Sequence, residues 1–560
     1  MEVTVPELVI DRLQAIDRLQ SIFGACDAQR RKRANARRTP PMVRLWDGNW
    51  ELQGIVHGEL SGKFTWKLND TGDGMIQLPV HHWLAKWVLN VEGRTKNVHI
   101  TVDKDGARWG GRMRRMKLRK EDNGKRYVEL QFLHDYEEVK RIQAWSNPFL
   151  PAAVQFPRAS VLAGPSAWVL KVMLMMNLVR LNASLWHLPN DPLDINSWGG
   201  GRFDMERWGI VVKPGSLVQD STPWTIVSSR FKFWHDLAES TLGDAQLMVE
   251  CRRYLDGDPP PWPGAKLRHG ALVIDIVDKS GHWSNDGHGS RGNIFTGILR
   301  TITSLADNMV DESQVFIDEP TEVEEYQRPG FLGTNQKQPY VTYRDGAITG
   351  VEAAEFTWEP SQAVQINGGG HSMPGVNEGI SAAVQLAGNN LGAFIFQPTI
   401  GTIADTILRP IYSDTILAWM SLKSPLRAME SGWSHYHEHF ARGSDRAYTL
   451  SGLVAMREGF WETRERTAHS LQIADGAPWF VGENGQGHFF LGDRISSTVV
   501  GLPEGKLIVE QVSELTFEWS RKEMGWDVTL GDNRASESPL SRAIREISSL
   551  VTAVHDLGVI

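Results

Sequence analysis

The tandem Pro40-Pro41 separates two kinds of hydrophobic spacing, and no other feature limits the fold as sharply. Before it, Val9, Leu13, Ile16, Leu19 and Phe23 recur at three- to four-residue steps, the stripe of a helix over residues 7–38. After it, from Met42 to about Phe149, the period falls to two. Val43–Leu45, Phe64–Leu68, Val98–Val102 and Tyr127–Phe132 are short apolar runs parted by Gly, Asp and Asn turns, which predicts an antiparallel β domain. Proline fixes φ and removes a donor, so the pair ends the helix before the first strand.

The end of the helix is basic. Arg30, Arg31, Lys32, Arg33, Arg37 and Arg38 place six cations in nine residues, a pattern suited to passing nucleic acid, an anionic surface or an acidic protein partner, and equally to a solvated helix face. In the β domain, the segment Arg112 to Lys120 carries charge on both faces of a strand, which fits an edge or a wall between subunits better than a core.

At 560 residues and a net charge of -8 the chain exceeds one ordinary core and predicts several domains. Cys26 and Cys251 stand far apart with no CxxC spacing, so neither a disulfide scaffold nor a thiolate zinc site is expected. The opening residues carry acid where an export signal needs a basic patch and an apolar run, so no such signal is expected. Ser160 to Leu181 is apolar but broken by Pro165, Lys171, Asn177 and Arg180; it reads as a buried helix rather than a membrane span.

Composition and breaks divide the chain into a basic helix (1–40), a β domain (41–150), a mixed α/β region (151–262), a second mixed region (263–360), an Ala/Gly/Leu-rich helical insertion (361–445), a C-terminal β domain (446–535) and a terminal helix (536–560). The fold class expected is α+β, β-rich and multidomain. Helices are expected around 166–181 and 230–242, and a boundary at the proline-rich 256–264. Ala271–Val277 reads as a strand and Asn293–Ala306 as a helix, and β patterning returns at Thr449–Leu453, Ser470–Ile473, His488–Phe490, Lys506–Val512 and Leu515–Trp519. Residues 301–327 hold eight acidic residues and no basic one, for which a basic segment of another subunit is a natural partner. The region 376–422 is expected to fold as an amphipathic hairpin that seals a channel and later meets a host envelope.

Several motifs tempt and fall short. Gly287 to Gly292 matches GxGxxG by letter, but about ten residues separate it from the preceding strand, where a dinucleotide turn must follow directly. His435, His437 and His439 can face one way on a strand, and His435 with His439 on a helix, yet the pattern is not HExxH, and an aromatic packing or interface segment is the alternative. Gly281, His282, Asp286 and His288 are read with the same caution. No catalytic, metal or cofactor-binding residue is assigned, and no cofactor is expected. At the C-terminus, Ser538 can cap a helix with Pro539 at its first position, and Leu540, Ile544, Ile547, Val551 and Val554 then follow 4-3-4-3 spacing. β-Branched residues at both kinds of seam position favour more than two strands, so a homotrimer is expected, against a single helix packed on its own domain.

The segments Gln365–Glu378, Asp414–Pro425, Asp475–Asp493 and Trp526–Asp532 resemble the minor tail proteins of actinobacteriophage siphoviruses, mycobacteriophage-like ones among them. The resemblance covers most of residues 40–560. It implies a tail hub related to tail-associated lysins: β-barrels in a trimeric ring that closes the tail tube. It further implies a place in the virion tail tip, assembled in the host cytoplasm, with a distal tail protein, a tape-measure protein and a central fibre or other minor tail proteins as partners. Transient contact with the host envelope during attachment and genome ejection would follow. Two other classes stay open: a cell-wall hydrolase, for which carboxylates such as Asp311 and Glu312 are available, and a carbohydrate-binding adhesin using the Trp-rich stretch from Trp186 to Trp208.

Overall fold

The computed structural model of this chain describes residues 7–122, 124–157, 160–183, 193, 204–280, 297, 316–318, 341–344, 351–370, 381, 418–441, 450–473, 479–498, 501 and 505–531. Helix α1 (Glu7–Arg37) ends just before the prolines. Then come β1 (Met42–Asp47), β2 (Leu52–Ile55), β3 (Ser61–Lys67), β4 (Asp73–Pro79), α2 (Trp83–Leu89), β5 (Val98–Lys104), β6 (Ala107–Lys120) and β7 (Arg126–His134). Period-two burial is plain on β4, where Gly74, Ile76 and Leu78 are buried and the residues between them are not. The β5–β6 turn is Asp105-Gly106, at φ 48° and 82°, the two left-handed positions that a tight hairpin needs and Asp-Gly supplies.

Strand β5 pairs only with the first part of β6, as far as Arg112, while β7 continues alongside it to Lys120. The charged Arg112–Lys120 segment therefore runs on to an edge that no described strand covers, where Arg119 and Lys117 reach the buried Glu129 at 3.2 and 3.7 Å.

A second core gathers α3 (Tyr136–Lys140), β8 (Gln143–Ala144), β9 (Ser160–Pro165), α4 (Ser166–Ala183), β10 (Ile210–Val212), β11 (Trp224–Ser229), β12 (Lys232–Phe233), α5 (Trp234–Asp244), β13 (Leu247–Arg253) and β14 (Leu272–Asp278). The polar residues that interrupt the apolar stretch of α4 form a buried network. Asn177 accepts from the Trp145 backbone at 3.1 Å and from Arg180 at 3.2 Å, and Arg180 lies 4.3 Å over the Trp145 ring. Among the described residues no helix is long and apolar enough to cross a membrane. The proline-rich loop at 256–264 does not divide domains: it joins β13 to β14, antiparallel partners from Leu247↔Asp278 to Arg253↔Leu272. Proline ends a strand, but a loop of this length can still return to the same sheet.

The remaining elements are β15 (Phe316–Asp318), β16 (Thr342–Tyr343), β17 (Val351–Glu359), β18 (Gln365–Gly369), β19 (Trp419–Lys423), α6 (Pro425–Glu430), β20 (Glu438–Phe440), α7 (Leu450–Glu462), β21 (Arg466–Ile473), β22 (Arg494–Ser497), β23 (Lys506–Ser520) and β24 (Met524–Gly531). Two expectations are corrected. The described part of 361–445 is chiefly a small sheet, β19-β18-β20, because Gly368 and Gly369 disfavour helix while Ile366, Met420 and Leu422 share one buried face. Leu450–Glu462, expected to begin as a strand, is helix, its buried Ala455, Met456 and Phe460 recurring at helical spacing.

Strand β23 pairs with β3 from Glu514↔Lys67 to Ser520↔Ser61. This joins the first β region to the last, in a 14-stranded sheet whose main path runs β17-β21-β24-β23-β3-β4-β7-β6-β5-β1-β2. One aromatic core underlies the seam, with Phe64 stacked on Trp519 at 5.5 Å and Phe517 against Trp526 at 4.9 Å. The path has two ends, β17 and β2, so the expected barrel is not closed by the described strands.

Candidate functional site

The Asp105-Gly106 hairpin is where α1, the second core and the C-terminal region converge. Arg37, in the last turn of α1, is buried there: it donates to the Val481 carbonyl at 2.8 Å, lies 3.6 Å from the Asp105 carboxylate and sits 4.4 Å over the Phe480 ring. Asp105 also accepts from the Trp526 indole at 3.0 Å. From the loop 479–493, the Glu483 amide donates to the Asp105 carbonyl and the Asn484 side chain to the Gly106 carbonyl, both at 2.9 Å. A Cβ on Gly106 would meet the Glu483 carbonyl oxygen at 2.0 Å, so this approach requires glycine.

Beside the hairpin opens a cleft of about 880 Å³ between β5–β6, the proline-rich loop, β13–β14 and residues 484–486. Charges in and around it answer one another across segments. Arg108 bonds Asp103 at 2.6 Å and also pairs with Asp258 of the proline-rich loop. Asp275 sits between Lys171 and Lys213 at 2.5 and 2.8 Å, and Lys279 pairs with Asp493 at 2.8 Å. Burial, reinforced by the Glu250 carboxylate, pushes Glu483 up to about 7. Glu250 is raised as well, first by burial.

Behind the cleft lies a second buried pair. Arg253 grips Asp135 through two bonds of 2.9 and 2.7 Å, donates to the Gly270 carbonyl and lies 4.6 Å from the Trp50 ring. Gly110 permits it, since a Cβ there would fall 2.1 Å from the Asp135 carboxylate. His99 and His134 flank the pair, stacked on or tilted against Trp50 and Trp109. Burial, with Arg253 adding to it, lowers both imidazoles to about 4. Chemically this is a clamp: buried ion pairs and a shared hairpin lock three chain segments together.

The structure distributes the sequence candidates unevenly. Of the basic run, Arg37 enters the clamp, whereas Arg30, Arg31, Lys32 and Arg38 are exposed, Arg31 pairing with Asp27 at 2.9 Å; Arg33 lies on the helix, its side chain outside the described residues. His439 lies on β20 with its ring 3.4 Å from Glu462, while His435 and His437 precede that strand with rings 5.2 Å apart. Among the described residues no group of three or more His, Cys, Asp or Glu is placed to hold a metal. Trp208 is buried in the second core and offers no surface. Leu540, Ile544, Ile547, Val551 and Val554 lie outside the described residues, as do the GxGxxG motif, His282, Asp286, His288, Trp186, Asp311, Glu312 and all but one residue of the expected helix 293–306. Sequence reasoning missed the clamp, although the Asp-Gly dipeptide between two apolar runs is a hairpin signal it could have used.

The two family-like segments Gln365–Glu378 and Asp414–Pro425 meet as paired strands β18 and β19, and Asp475–Asp493 supplies the loop on the hairpin. Comparison with known proteins agrees. The Siphovirus ReqiPepy6 Gp37-like family matches residues 42–532. The chain is 35% identical to the minor tail protein Gp28 of Mycobacterium phage D29, over 98% of this chain and all of that protein, and equally so to Gp28 of Mycobacterium phage L5. Among solved structures, the prophage tail protein gp18 of Listeria monocytogenes EGD-e aligns at a TM-score of 0.40 and 9% identity over 91% of this chain and 99% of its own, a likeness too loose to add to the sequence match. The chain thus belongs to the Gp37-like family of siphophage minor tail proteins, components of the virion tail.

Proposed function

We propose that this minor tail protein is the hub of the tail tip: a homotrimeric ring that closes the tail tube, joins the distal tail protein and tape-measure protein to the central fibre, and takes part in host attachment and genome ejection. The observation that carries the reading is the match to phage minor tail proteins over nearly the whole chain. The clamp supports it, since a ring member under load at ejection needs its first and last β regions locked in one sheet. The trimer would close through Leu540, Ile544, Ile547, Val551 and Val554. The mass of the full-length chain in solution, alone and truncated before Ser538, tests this: a trimer that falls apart on truncation is expected, and a trimer unaffected by truncation would remove those residues from the interface.

In this reading the protein is structural. A zymogram on host cell wall tests the hydrolase alternative, and clearing would overturn the structural assignment. The adhesin reading gains from one observation: Trp419, Trp433, Tyr436 and Phe440 are exposed together around β19 and β20, with Trp433 92% accessible. It predicts that the isolated protein binds host cells and blocks phage adsorption.

A further inference from the structure

Helix α1 is secured at Arg37 and bare from Ile16 to Lys32. Arg37 bonds it to the body, and Lys104 donates to the Arg37 and Thr39 carbonyls at its end. From Ile16 to Lys32 every side chain is exposed except Asp27, which Arg31 partly covers. Ile16, Leu19, Ile22 and Phe23 are 48%, 65%, 60% and 74% accessible. At 1.5 Å per residue these apolar groups stand roughly 20–30 Å along the helix from Arg37. The family match begins at residue 42, after the end of α1.

The stripe has a direction. Ile16, Leu19, Phe23 and Cys26 follow 3-4-3 spacing, and the same line continues without a break through Arg30, Arg33 and Arg37. It is apolar at its outer end and cationic toward the body. Two copies of α1 laid parallel would set Arg30 and Arg33 against their own kind, so the occupant must be apolar first and acidic second. Residues 301–327 have that order in outline: Ile302, Leu305, Met309 and Val310 with one acid, Asp307, among them, then Asp311, Glu312, Asp318, Glu319, Glu322, Glu324 and Glu325. Within that stretch Phe316–Asp318, strand β15, is held on β23 of its own sheet, while the apolar end of α1 stands well out from its anchor.

We propose that α1 is a docking arm that binds residues 301–327 of a second copy of this chain. The contact is head-to-tail, using different surfaces on the two copies, and such contacts close into rings when the rotation allows. It uses residues other than Leu540 to Val554, so its crosslink is read separately from the effect of truncation before Ser538.

The test uses the full chain and its own exposed Cys26. Aligning the apolar-to-charged boundaries sets Cys26 opposite Met309 or Val310, so Met309→Cys should form a 26–309 disulfide under mild oxidation. Peptide mapping then identifies the bond, with Cys26→Ser as the blank. An interchain 26–309 bond is expected. A bond within one chain, or none, overturns the proposal. Glu at Arg30, Arg31, Lys32 and Arg33, or Lys at Asp311, Glu312, Glu324 and Glu325, should each lower the interchain yield roughly tenfold, and mixing the two swapped proteins should restore it. Yields unmoved by either swap overturn the charge pairing. Circular dichroism checks that the variants keep their fold, which the exposure of Arg30, Arg31 and Lys32 favours.

Discussion

The clamp and the arm are built from the same kinds of residue in opposite circumstances. At the clamp, Arg37, Arg108 and Arg253 are each less than a tenth exposed and each meets a carboxylate or carbonyl. On α1, a few turns away, arginines and large apolar side chains face solvent. The comparison teaches that residue type does not set energetic worth. A buried arginine deprived of its partner leaves an uncompensated charge, whereas an exposed one is already solvated. The body should therefore be sensitive at a few clamp residues, and the arm insensitive until a partner covers it.

The strongest way to break the contrast is Asp135→Ala. It strands Arg253 among Trp50, His99 and Gly270, so a loss of about 3–5 kcal/mol in unfolding free energy is expected from urea titration. Replacing both Asp135 and Arg253 with apolar residues of similar size should cost less than the single change. A double variant worse than the single one would mean that packing, rather than the stranded charge, dominates there.

Acid attacks buried imidazoles there and on β21. Burial holds His99, His134 and His469 at about 4 against 6.5 for a free imidazole. Folded values below unfolded ones mean that the neutral rings contribute stability in full above pH 6.5 and lose it as pH falls toward 4. By linkage each ring accounts for roughly 3 kcal/mol at the acid limit, since 1.36 kcal/mol accompanies each pH unit. Glu483 runs the other way: raised from 4.5 to about 7, it favours folding at low pH and loses that contribution as pH rises through 7. Urea midpoints should rise steeply from pH 4 to 6.5 and level off between 7 and 8, where the loss at Glu483 offsets the last of the histidine gain, and a flat profile from 7 down to 4 would sink the histidine account.

Gly106→Ala comes next. A methyl group 2.0 Å from the Glu483 carbonyl, on a backbone at φ 82°, forces the 479–493 loop off the hairpin. About 2 kcal/mol is the expected loss, readable as a lowered urea midpoint, together with faster proteolysis within that loop.

How much of this contrast could be read from sequence depends on how far apart the partners lie. The arm was legible because a helix writes its apolar stripe into neighbouring residues, and the tandem proline marks its end. Strands β3, β5 and β7 were legible for the same reason, through alternation over a few positions. The pairing of β3 with β23 was not, since their partnered residues stand more than 400 positions apart and each strand alternates alike whatever lies beside it. The clamp was hidden in the same way: Asp105, Val481 and Arg37 carry no local signal that they share a place. The proline-rich loop misled because punctuation in sequence marks the end of an element, and the chain can still return to the same sheet. The small β18–β20 sheet was obscured by strands of only three to five residues.

The smallest effect sharpens the comparison from the other side. Trp433→Ala removes one of the largest side chains in the molecule, but its ring is 92% accessible and has little buried area to lose. The same holds for Phe23→Ser on the arm, 74% accessible. Each should move the unfolding free energy of the isolated chain by less than about 0.5 kcal/mol, in contrast to the loss at Asp135. A drop of 2 kcal/mol or more for Phe23→Ser at low protein concentration would mean that the arm folds back on its own body. The effect should instead grow with protein concentration, because what Phe23 contributes is realised only when a second copy covers it.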